Sequence, residues 1–342
     1  MDSNNNFFKP GNILKLVLIA AGTLVFGCVL SVYVPQSFTA GEKKQVYINY
    51  GTGFKKVSNM LGNGGIVRNR FVFDLYLMAG AKYKKLRAGE YEFGGNENMA
   101  AVAMKMIKGD VLKHEITITE GSDIYDIADM LETEKLMAKD RFLALVKDKA
   151  FLQKIGIRYD TAEGLLFPDT YDFIRGETEE KIIGTMFKRF IEKAPVQLNK
   201  IYSVAGKSYS GYEILKMASI IEKEARLDNE RELVSSVFYN RLNADKRLES
   251  CATVRYAMNK KRGPITNDDL QFKSVCNTYR HRGLPPVPIC CPGIKSMIAA
   301  MKPAETNYMF FVVKEDGSHT FSEDFQQHIK AKLHNRKKYK NH

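Results

Sequence analysis

The feature that most constrains this chain is an uncharged apolar run, LVLIAAGTLVFGCVLSVYV, which begins at Leu16. A helix needs about 20 apolar residues to cross a bilayer, and this run supplies nearly that many. Lys9 and Lys15 precede it, and positive charges favour the cytoplasmic end of a membrane-spanning helix. We therefore predict a cytoplasmic tail over residues 1–12, a single transmembrane helix over residues 13–34, and an extracytoplasmic remainder held at the cytoplasmic (inner) membrane.

A cleavable signal peptide is the competing interpretation, since the segment before the run is short and basic. The run is longer than the roughly 7 to 15 apolar residues of a typical signal peptide. The SFTA sequence after it also lacks a small residue three positions before the candidate cut. A buried core helix is a third interpretation. A retained anchor fits best, and no second apolar run approaches this length.

The size and charge of the chain bound its class. Its 342 residues suit two domains, and a formal net charge of +13 could indicate a nucleic-acid partner. Six positive charges, however, lie unopposed in KAKLHNRKKYKNH at residues 330–342, a pattern typical of a solvated terminus or a patch for anionic surfaces. The sequence contains no zinc-finger spacing, phosphate loop or RNA-binding signature. We expect no nucleic-acid partner; outside a membrane the acidic partners are lipid headgroups and cell-wall polymers.

The cysteines and histidines form no pattern typical of a metal site. Cys28 lies in the apolar run. Four more cysteines, without paired C-x-x-C spacing, fall in the last third of the chain: Cys251, Cys276, Cys290 and Cys291. We interpret them as small buried hydrophobic residues, with one disulfide open to them in an oxidising compartment. No metal and no cofactor are predicted.

An internal repeat follows the apolar run. YINYGTGFKKVSNMLGNGGIVRNRF at residues 47–71 aligns with TITEGSDIYDIADMLETEKLMAKDRF at residues 117–142. The alignment pairs apolar residues and glycines at one constant offset: Ile48 with Ile118, Gly51 with Gly121, Val57 with Ile127, Met60 with Met130 and Leu61 with Leu131. Each copy reads as a strand, a glycine turn and an amphipathic helix, and RAGEYEF at residues 87–93 reads as another strand. Units this small bury little surface alone, so we expect the copies to pack together.

In pattern, residues 46–155 resemble a LysM-type carbohydrate-binding module, and a spacer domain is the alternative. A helical stretch is predicted over residues 139–155. The following EGLLFPDTYDF contains Pro168 among acidic and aromatic residues, which indicates a turn between domains. Residues 160–335 are predicted to form the second domain.

The segment GYEILKMASIIEKEAR, residues 211–226, has helical periodicity and carries two glutamates behind an apolar run. At about 100° per residue, its apolar residues form one stripe: Ile214, Ala218, Ile221 and Ala225. Lys223 points away from this stripe. Glu222 projects inside the apolar arc, whereas Glu224 lies at its other margin beside Met217. At least one carboxyl group is therefore predicted to face a wall or cleft of low polarity.

A glutamate at position 222 has two interpretations from the pattern alone. It either pairs with an arginine such as Arg226 or Arg241 and holds the helix in place, or it donates a proton. Apolar surroundings raise the pKa of a carboxyl group, which makes it a usable acid near neutrality. Glycosidic bond cleavage needs such a donor, and the usual glycosidase adds a second carboxylate as base or nucleophile.

The residues after this helix favour a functional site. ELVSSVFYNRLNADKRLES reads as another amphipathic helix. NTYRHRGLPPVPICCPG is too rich in Pro and Gly for regular structure, and its polar and aromatic side chains suit the lining of a sugar cleft. IKSMIAAMKP reads as a helix stopped by Pro303, and NYMFFVVKEDGSHTF as a hairpin with an Asp-Gly turn.

Together these motifs resemble those of a known family. ASIIEKEA, VFYNRL, NTYRHRGLPPVPI, PG, YMFFV and GSHTFS, in this order and spacing, are similar to the motifs of the YceG-like endolytic murein transglycosylases (MltG family). EGLLFPDTY resembles the interdomain motif of that family, and the resemblance covers essentially the whole chain. It implies an α+β fold with an N-terminal transmembrane helix, a LysM-like strand/helix subdomain and a mixed α+β catalytic domain.

By this resemblance Glu222 matches the catalytic glutamate. Glu224 is the rival candidate because spacing barely separates the two, and it is otherwise counted among the candidate substrate contacts. Polar positions near the family cleft match four further residues as substrate contacts: Asn240, Asn277, Tyr279 and His319. Structural roles stay open as well, since Asn240 could cap its helix and His319 could brace a hairpin.

The sequence departs from the commonest family pattern at two places. Cys251 and Ala252 stand where many relatives have Asp-Pro, and Cys276 replaces the usual aromatic residue before NTY. Any assistance that the aspartate gives to catalysis elsewhere is absent here. In lytic transglycosylases one glutamate acts as acid and then as base, while the 6-hydroxyl of the sugar attacks the anomeric carbon. A glutamate without a second carboxylate fits that chemistry.

The resemblance implies an enzyme that cuts nascent peptidoglycan strands between MurNAc and GlcNAc and leaves 1,6-anhydroMurNAc ends. Peptidoglycan strands would be its substrate and peptidoglycan synthases its partners. Two alternatives stay open: a non-catalytic glycan-binding scaffold of the cell-wall synthesis machinery, and a lysozyme-type hydrolase in which water replaces the 6-hydroxyl as the attacking group.

Overall fold

The computed structural model describes residues 10–35 and 42–338. Three segments to which the sequence assigned roles lie wholly or partly outside the described residues. They are the cytoplasmic tail with Lys9, residues 36–41 of PQSFTAGEKKQ, which is predicted to be a polar linker at residues 35–45, and the last four residues of the basic C-terminal segment.

Helices and strands are mixed along the chain, so the predicted α+β class is confirmed. The chain divides into two compact units: unit 1, Met1–His114 with Ile174–Gly176, and unit 2, Glu115–Phe173 with Glu177–His342.

The α-helices of the described residues are α1 (Pro10–Tyr33), α2 (Phe54–Asn63), α3 (Arg70–Met78), α4 (Met99–Lys108), α5 (Ile124–Thr133), α6 (Lys139–Leu145), α7 (Lys149–Lys154), α8 (Glu179–Lys193), α9 (Gly211–Glu224), α10 (Arg231–Asn243), α11 (Cys251–Ala257), α12 (Ile294–Met301) and α13 (Phe325–Lys338). The strands are β1 (Lys43–Ile48), β2 (Gly89–Gly94), β3 (Lys113–Thr117), β4 (Thr170–Ile174), β5 (Ile201–Val204), β6 (Lys207–Ser210), β7 (Phe310–Val313) and β8 (His319–Ser322). They pair as two-stranded sheets: β1 with β2, β3 with β4, β5 with β6, and β7 with β8.

The helix α1 coincides with the predicted transmembrane span. Residues Asn12–Tyr33 are long and apolar enough to cross a membrane, judged by length and composition. Large apolar side chains on its surface, including Leu18, Leu24 and Phe26, are exposed, as a lipid-facing surface requires. The last turns differ, because Val32 is buried in the core of unit 1 and α1 contacts α3 and α4 there.

Unit 1 contains the first copy of the repeat. β1 pairs antiparallel with β2, the predicted RAGEYEF strand, and Val46 lies opposite Tyr91. Gly51 follows β1 with a φ of 79°, a left-handed conformation that glycine adopts readily. α2 then turns Val57 and Leu61 into the core. The strand, turn and helix predicted for this copy are confirmed.

The second copy has the same local structure but packs in unit 2. Gly121 repeats the left-handed turn with a φ of 81°, and α5 follows it. Leu131 is fully buried in a core that also holds Phe190 and Ile214. The expectation that the copies pack together is therefore wrong, because their apolar faces belong to separate cores. The predicted LysM-like region, residues 46–155, is divided between the two units.

Three helices at the centre of unit 2 position the candidate site. α9 begins at a capping box, in which the Ser210 hydroxyl accepts the Glu213 N–H and the Glu213 carboxylate accepts the Ser210 N–H. Its apolar stripe is buried against α12 and α10, as the periodicity predicts. α12 ends before Pro303, also as predicted.

The remaining predicted elements are present, with one difference. β7 and β8 form the hairpin, with Phe311 opposite Phe321, and Gly317 in its turn has a φ of 82°. The helical stretch predicted over residues 139–155 is two helices, α6 and α7. It is interrupted because the Asp148 side chain caps a new helix start.

The cysteines only partly follow their predicted burial. All five lie in the described residues and none forms a disulfide there. Cys276, Cys290 and Cys291 are buried, as predicted. Cys251 is exposed at the first position of α11, so its interpretation as a buried hydrophobic residue is wrong.

Candidate active site

The two glutamates in the last turn of α9 lie on opposite sides of the helix. Two residues along an α-helix correspond to about 200° of rotation, so Glu222 and Glu224 face different parts of unit 2. The Glu222 side chain is only 7% exposed, which agrees with its predicted position inside the apolar arc. Lys223, between them, is exposed, also as predicted.

The Glu222 carboxylate is bound by internal partners. Its Oε2 accepts the N–H of Gly293, at the start of α12, over 2.9 Å. The same oxygen lies 3.4 Å from a guanidinium nitrogen of Arg231 on α10. Arg231 is itself buried, and a buried cation needs a compensating charge. Glu222 thus links α9 to α10 and α12. The sequence left pairing with an arginine open, and the structure supplies it through Arg231.

Glu224 instead faces a cleft. Its Oε1 accepts a hydrogen bond from the hydroxyl of Ser250, the residue that precedes α11. The cleft has a volume of about 290 Å³. Its lining includes charged and aromatic residues from α10, the loop after α11, the hairpin and α13: Arg241, Tyr279, Phe310, Phe311 and His328. Apolar and aromatic walls with a few polar groups are typical of ligand-binding sites.

A second cavity, of about 360 Å³, also reaches Glu224. Arg226, His319 and Lys332 line it, and it shares Phe311 and His328 with the cleft. Glu224 therefore lies where two cavities meet, whereas Glu222 lines neither of them.

Cys251, where the family resemblance leads one to expect an aspartate, lies in the cleft. The Cys251 thiol is 3.1 Å from the Tyr279 hydroxyl, and both residues line the cleft with Glu224. Although Cys251 is exposed as a residue, its thiol is partly desolvated in the cleft, which raises the pKa of the thiol. The Glu224 carboxylate raises that pKa further, while Tyr279 and Arg255 act in the opposite direction. The cleft therefore holds a protonated thiol at this position at neutral pH.

A second carboxylate, that of Glu249, lines the same cleft. Its Oε2 is 2.9 Å from the Arg241 guanidinium, which also donates to the Met309 carbonyl oxygen at 2.7 Å. Glu249 is thereby neutralised by an internal partner. Glu224 forms no ion pair with a residue that the structure describes. Of the two carboxylates that line the cleft, it is therefore the one without a cationic partner.

Glu120 is a carboxyl group near the site that the sequence pattern did not single out. Its side chain lies against Gly293, the residue whose N–H binds Glu222. Burial raises the pKa of Glu120 and the Glu222 charge raises it further, while Arg231 lowers it. The internal repeat contains a difference from which a special role of Glu120 could have been predicted. The aligned position in the first copy is Tyr50, so the copies differ just before their shared glycine.

Two of the predicted substrate contacts have internal partners. The Asn240 amide nitrogen donates to the carbonyl oxygens of Thr306 at 2.7 Å and Tyr308 at 3.0 Å. Asn277 is fully buried, and its amide donates to two carbonyl oxygens of the preceding loop at 2.9 and 2.8 Å. Neither residue lines the cleft or the second cavity. Both shape loops beside the site, and a substrate contact by either stays a prediction.

The other two predicted contacts border the cavities. Tyr279 lines the cleft. His319 lines the second cavity, but its Nδ1 is 2.7 Å from Glu230 Oε2 and its ring packs edge-on against Phe311. The role of bracing the hairpin, which the sequence left open for His319, is therefore present together with its place at the cavity.

Two more cavities near the site share Lys223 as a lining residue. One, of about 480 Å³, is lined by Glu120, Gly121 and Asp126, and the other, of about 250 Å³, by Asp126 and Lys261 among others. Lys223 lines both of them as well as the second cavity at Glu224. Four neighbouring cavities at the end of α9 form a surface suited to an extended ligand such as a polymer.

Known proteins resemble this chain over most of its length. Residues 46–334 match the YceG-like family. The endolytic murein transglycosylase of Bacillus subtilis (strain 168) is 30% identical over 339 residues, which cover 92% of this chain and 90% of that protein. The endolytic murein transglycosylase of Streptococcus pneumoniae serotype 2 (strain D39 / NCTC 7466) is 26% identical over 335 residues, covering 88% of this chain and 59% of that protein. A crystal structure of a yceG-like protein from Listeria monocytogenes matches with a TM-score of 0.59 and 30% identity, covering 85% of this chain and 99% of the other.

Proposed function

The chain belongs to the YceG-like family, and from that premise we propose that it is an endolytic lytic transglycosylase of peptidoglycan in which Glu224 is the general acid and base. The names of the relatives support the activity, and the family resemblance drawn from the sequence motifs is confirmed. One observation carries the residue assignment. Glu224 lies where two cavities meet, with its carboxylate held by Ser250, whereas Glu222 is enclosed by Arg231 and Gly293.

The reaction needs one group that gives a proton and then takes one back. Glu224 protonates the glycosidic oxygen between MurNAc and GlcNAc as the bond from that oxygen to the anomeric carbon breaks. The 6-hydroxyl oxygen of the same MurNAc closes on the anomeric carbon, and the Glu224 carboxylate accepts the hydroxyl proton. One strand then ends in 1,6-anhydroMurNAc and the other begins with a GlcNAc that has a free 4-hydroxyl. No water is consumed and Glu224 is regenerated.

The surroundings of Glu224 serve this chemistry. The Ser250 hydroxyl fixes the orientation of the carboxyl group, and correct positioning is a large part of catalysis. Phe310 and Phe311 supply apolar surface in the cleft, against which a sugar ring can pack. The assignment of the acid to Glu222, which the motif match favours, stays the rival prediction.

A lysozyme-type hydrolase is the second candidate, because Glu249 places another carboxylate in the cleft. A hydrolase needs that group to activate water or to bond to the sugar. Its ion pair with Arg241 at 2.9 Å occupies it, and this favours the 6-hydroxyl as the attacking group.

We further propose that α1 anchors the chain by a single pass through the cytoplasmic membrane, with Lys15 near the cytoplasmic end and the chain after α1 outside. Residues 46–155 would contribute glycan binding, and peptidoglycan synthases would be neighbours at the membrane. The length and composition of α1 support the anchor. A reporter that is active only outside the cytoplasm, fused to the C-terminus, should function; activity of a cytoplasmic reporter alone would contradict this topology.

The reaction type is tested by mass analysis of the new ends that the purified chain forms on peptidoglycan strands. A lytic transglycosylase leaves 1,6-anhydroMurNAc, which is lighter by one water molecule than a reducing MurNAc end. Anhydro ends support the proposal. Reducing ends that disappear in Glu249→Gln would establish the hydrolase, and binding without any new ends would establish the scaffold.

A further inference from the structure

The second cavity at Glu224 has an excess of positive charge. Its charged lining residues are Glu224 and three cations: Lys223, Arg226 and Lys332. The Lys223 ammonium donates to the Gly121 carbonyl oxygen at 2.9 Å and is therefore occupied. Arg226 and Lys332 form no ion pair with any residue that the structure describes. Two cations without partners beside the proposed catalytic carboxylate favour an anionic group of the substrate as their ligand.

His328 adds a hydrogen-bonding group at the same place. It lines both the second cavity and the cleft, and its ring stacks on Phe310 with the centroids 5.1 Å apart. Its Nδ1 is buried and has no hydrogen-bond partner among the described residues, which is unusual for a buried polar atom. Burial and the positive charges of Lys332 and Arg241 lower the pKa of His328. The neutral ring keeps one N–H that can be donated to a ligand.

We propose that Arg226, Lys332 and His328 form a carboxylate-binding subsite for the substituent on O3 of the MurNAc that Glu224 cleaves. The inference rests on the proposed function and deepens it, because it names the part of the substrate that is recognised beyond the sugar ring. An arginine guanidinium holds a carboxylate through paired N–H groups, and a lysine ammonium adds a compact charge. The subsite lies beside Glu224, as a substituent of the cleaved sugar requires.

The carboxylate can come from two sources. In a complete strand the O3 substituent is a lactyl group extended by a peptide, and the carboxylates belong to the peptide. When the peptide has been removed, the lactyl group itself ends in a carboxylate. Both present the same chemistry to the subsite, at different distances from the sugar ring.

The test measures binding to the full chain carrying Glu224→Gln, so that strands are not cut. The matched control for Arg226→Gln and for Lys332→Gln is Lys330→Gln. It removes one positive charge from α13, and Lys330 lines neither cavity at Glu224. Three probes are used: strands with intact peptides, strands stripped of peptides by an amidase, and stripped strands whose lactyl carboxylates have been converted to neutral methyl amides. Because Arg226 and Lys332 are exposed, folding should be preserved, and thermal unfolding checks this.

Each subsite substitution should raise the Kd for a charged strand by about threefold to fivefold, the effect of losing one partly exposed ion pair. Binding of the neutral strand should not change. An effect confined to peptide-bearing strands identifies the peptide as the source of the carboxylate, and an effect on both charged strands identifies the lactyl group. Equal weakening for the neutral strand, no weakening for any strand, or the same weakening in Lys330→Gln would overturn the subsite.

Failure of the subsite and failure of the proposed function give different results. If the chain with Glu224 intact forms no new ends on any strand, the enzymatic proposal fails, but the Kd differences among the three probes still report on the subsite. If the chain is active, Arg226→Gln should raise KM for charged strands and leave kcat unchanged. A fall in kcat with unchanged KM would remove Arg226 from substrate binding.

Discussion

The carboxyl groups of Glu222 and Glu224 have different partners although the residues are two positions apart on α9. Glu222 accepts the Gly293 N–H at 2.9 Å and lies 3.4 Å from Arg231, whereas Glu224 accepts the Ser250 hydroxyl and faces a cleft. Helical geometry requires this separation, because two residues correspond to about 200°. One glutamate thus stabilises the unit and the other is available to a substrate.

Replacing Glu222 with Gln should therefore reduce stability. Arg231 would stay buried with Asp228, 3.0 Å away, as its remaining ion-pair partner, so the loss should be about 1–3 kcal/mol, the range for removing one partner of a buried hydrogen-bonded group. The free energy of unfolding in urea measures the loss. Glu224→Gln is the matched control and should change that free energy by less than about 1 kcal/mol. Unchanged stability of Glu222→Gln would contradict the structural role.

Cys251 should be the thiol of unit 2 that a soluble reagent modifies, since the other cysteines of that unit are buried. Because partial desolvation in the cleft and the Glu224 charge raise the pKa of this thiol above the ordinary value of 9.0, the reactive thiolate is scarce at neutral pH. Alkylation by iodoacetamide should be slow at pH 7 and should accelerate as the pH rises. The added group would fill the cleft beside Tyr279 and abolish cleavage. Cys251→Ala should stay active after the same treatment; its inactivation would contradict this explanation.

Leu61 and Leu131 form a matched pair for testing the division of the repeat. They occupy equivalent positions and are fully buried, but they belong to different cores. A buried Leu→Ala substitution costs about 2–5 kcal/mol. Leu131→Ala should speed amide hydrogen exchange in α9 and lower activity on heating, whereas Leu61→Ala should speed exchange in α2 and β2. Equal acceleration in α9 for both variants would show that the copies share one core.

Glu163 should make stability depend on pH. It is fully buried and accepts the N–H groups of Ile124 and Gly164, each at 3.2 Å. Burial, and then the negative charge of Asp123, raise its pKa from 4.5 to about 8. The folded state therefore binds this proton more tightly than the unfolded state. The resulting stabilisation is full below about pH 4.5 and is lost as the pH rises through about 8.

Between those values the free energy of unfolding should fall with rising pH by an amount on the order of a few kcal/mol. Glu163→Gln, which stays neutral, should flatten this dependence. Urea unfolding at a series of pH values measures it for both proteins. Identical pH profiles would show that Glu163 does not titrate in this range.

Much of the local structure was predictable because it depends on neighbours in sequence. Apolar periodicity predicts the buried stripe of α9, the constant offset predicts both strand-turn-helix copies, and Pro303 predicts the end of α12. The burial of Glu222 follows from the same periodicity. Each of these elements is determined by residues that are close to one another within the element.

The partners across the fold were not predictable from the same signals. Helical spacing places Glu222 on a buried face but does not show that Arg231 packs there, because that contact depends on how α10 crosses α9. Glu120 reaches the site through the turn before α5. His328 lies on α13, just before the basic segment at residues 330–342 for which the sequence predicts a solvated terminus. The separate cores of the repeat likewise depend on tertiary packing, which the repeat pattern does not encode.

The assignment of the catalytic acid is tested most directly by comparing Glu224→Gln with Glu222→Gln on peptidoglycan strands, with the 1,6-anhydroMurNAc ends counted by mass spectrometry. General acid–base groups contribute about 10²- to 10⁴-fold to rate, so Glu224→Gln should bind strands but lose that factor in kcat. Glu222→Gln should keep most of its kcat at temperatures where it is folded. Anhydro ends formed at the normal rate by Glu224→Gln, together with a folded but inactive Glu222→Gln, would contradict the assignment and return the catalytic role to Glu222.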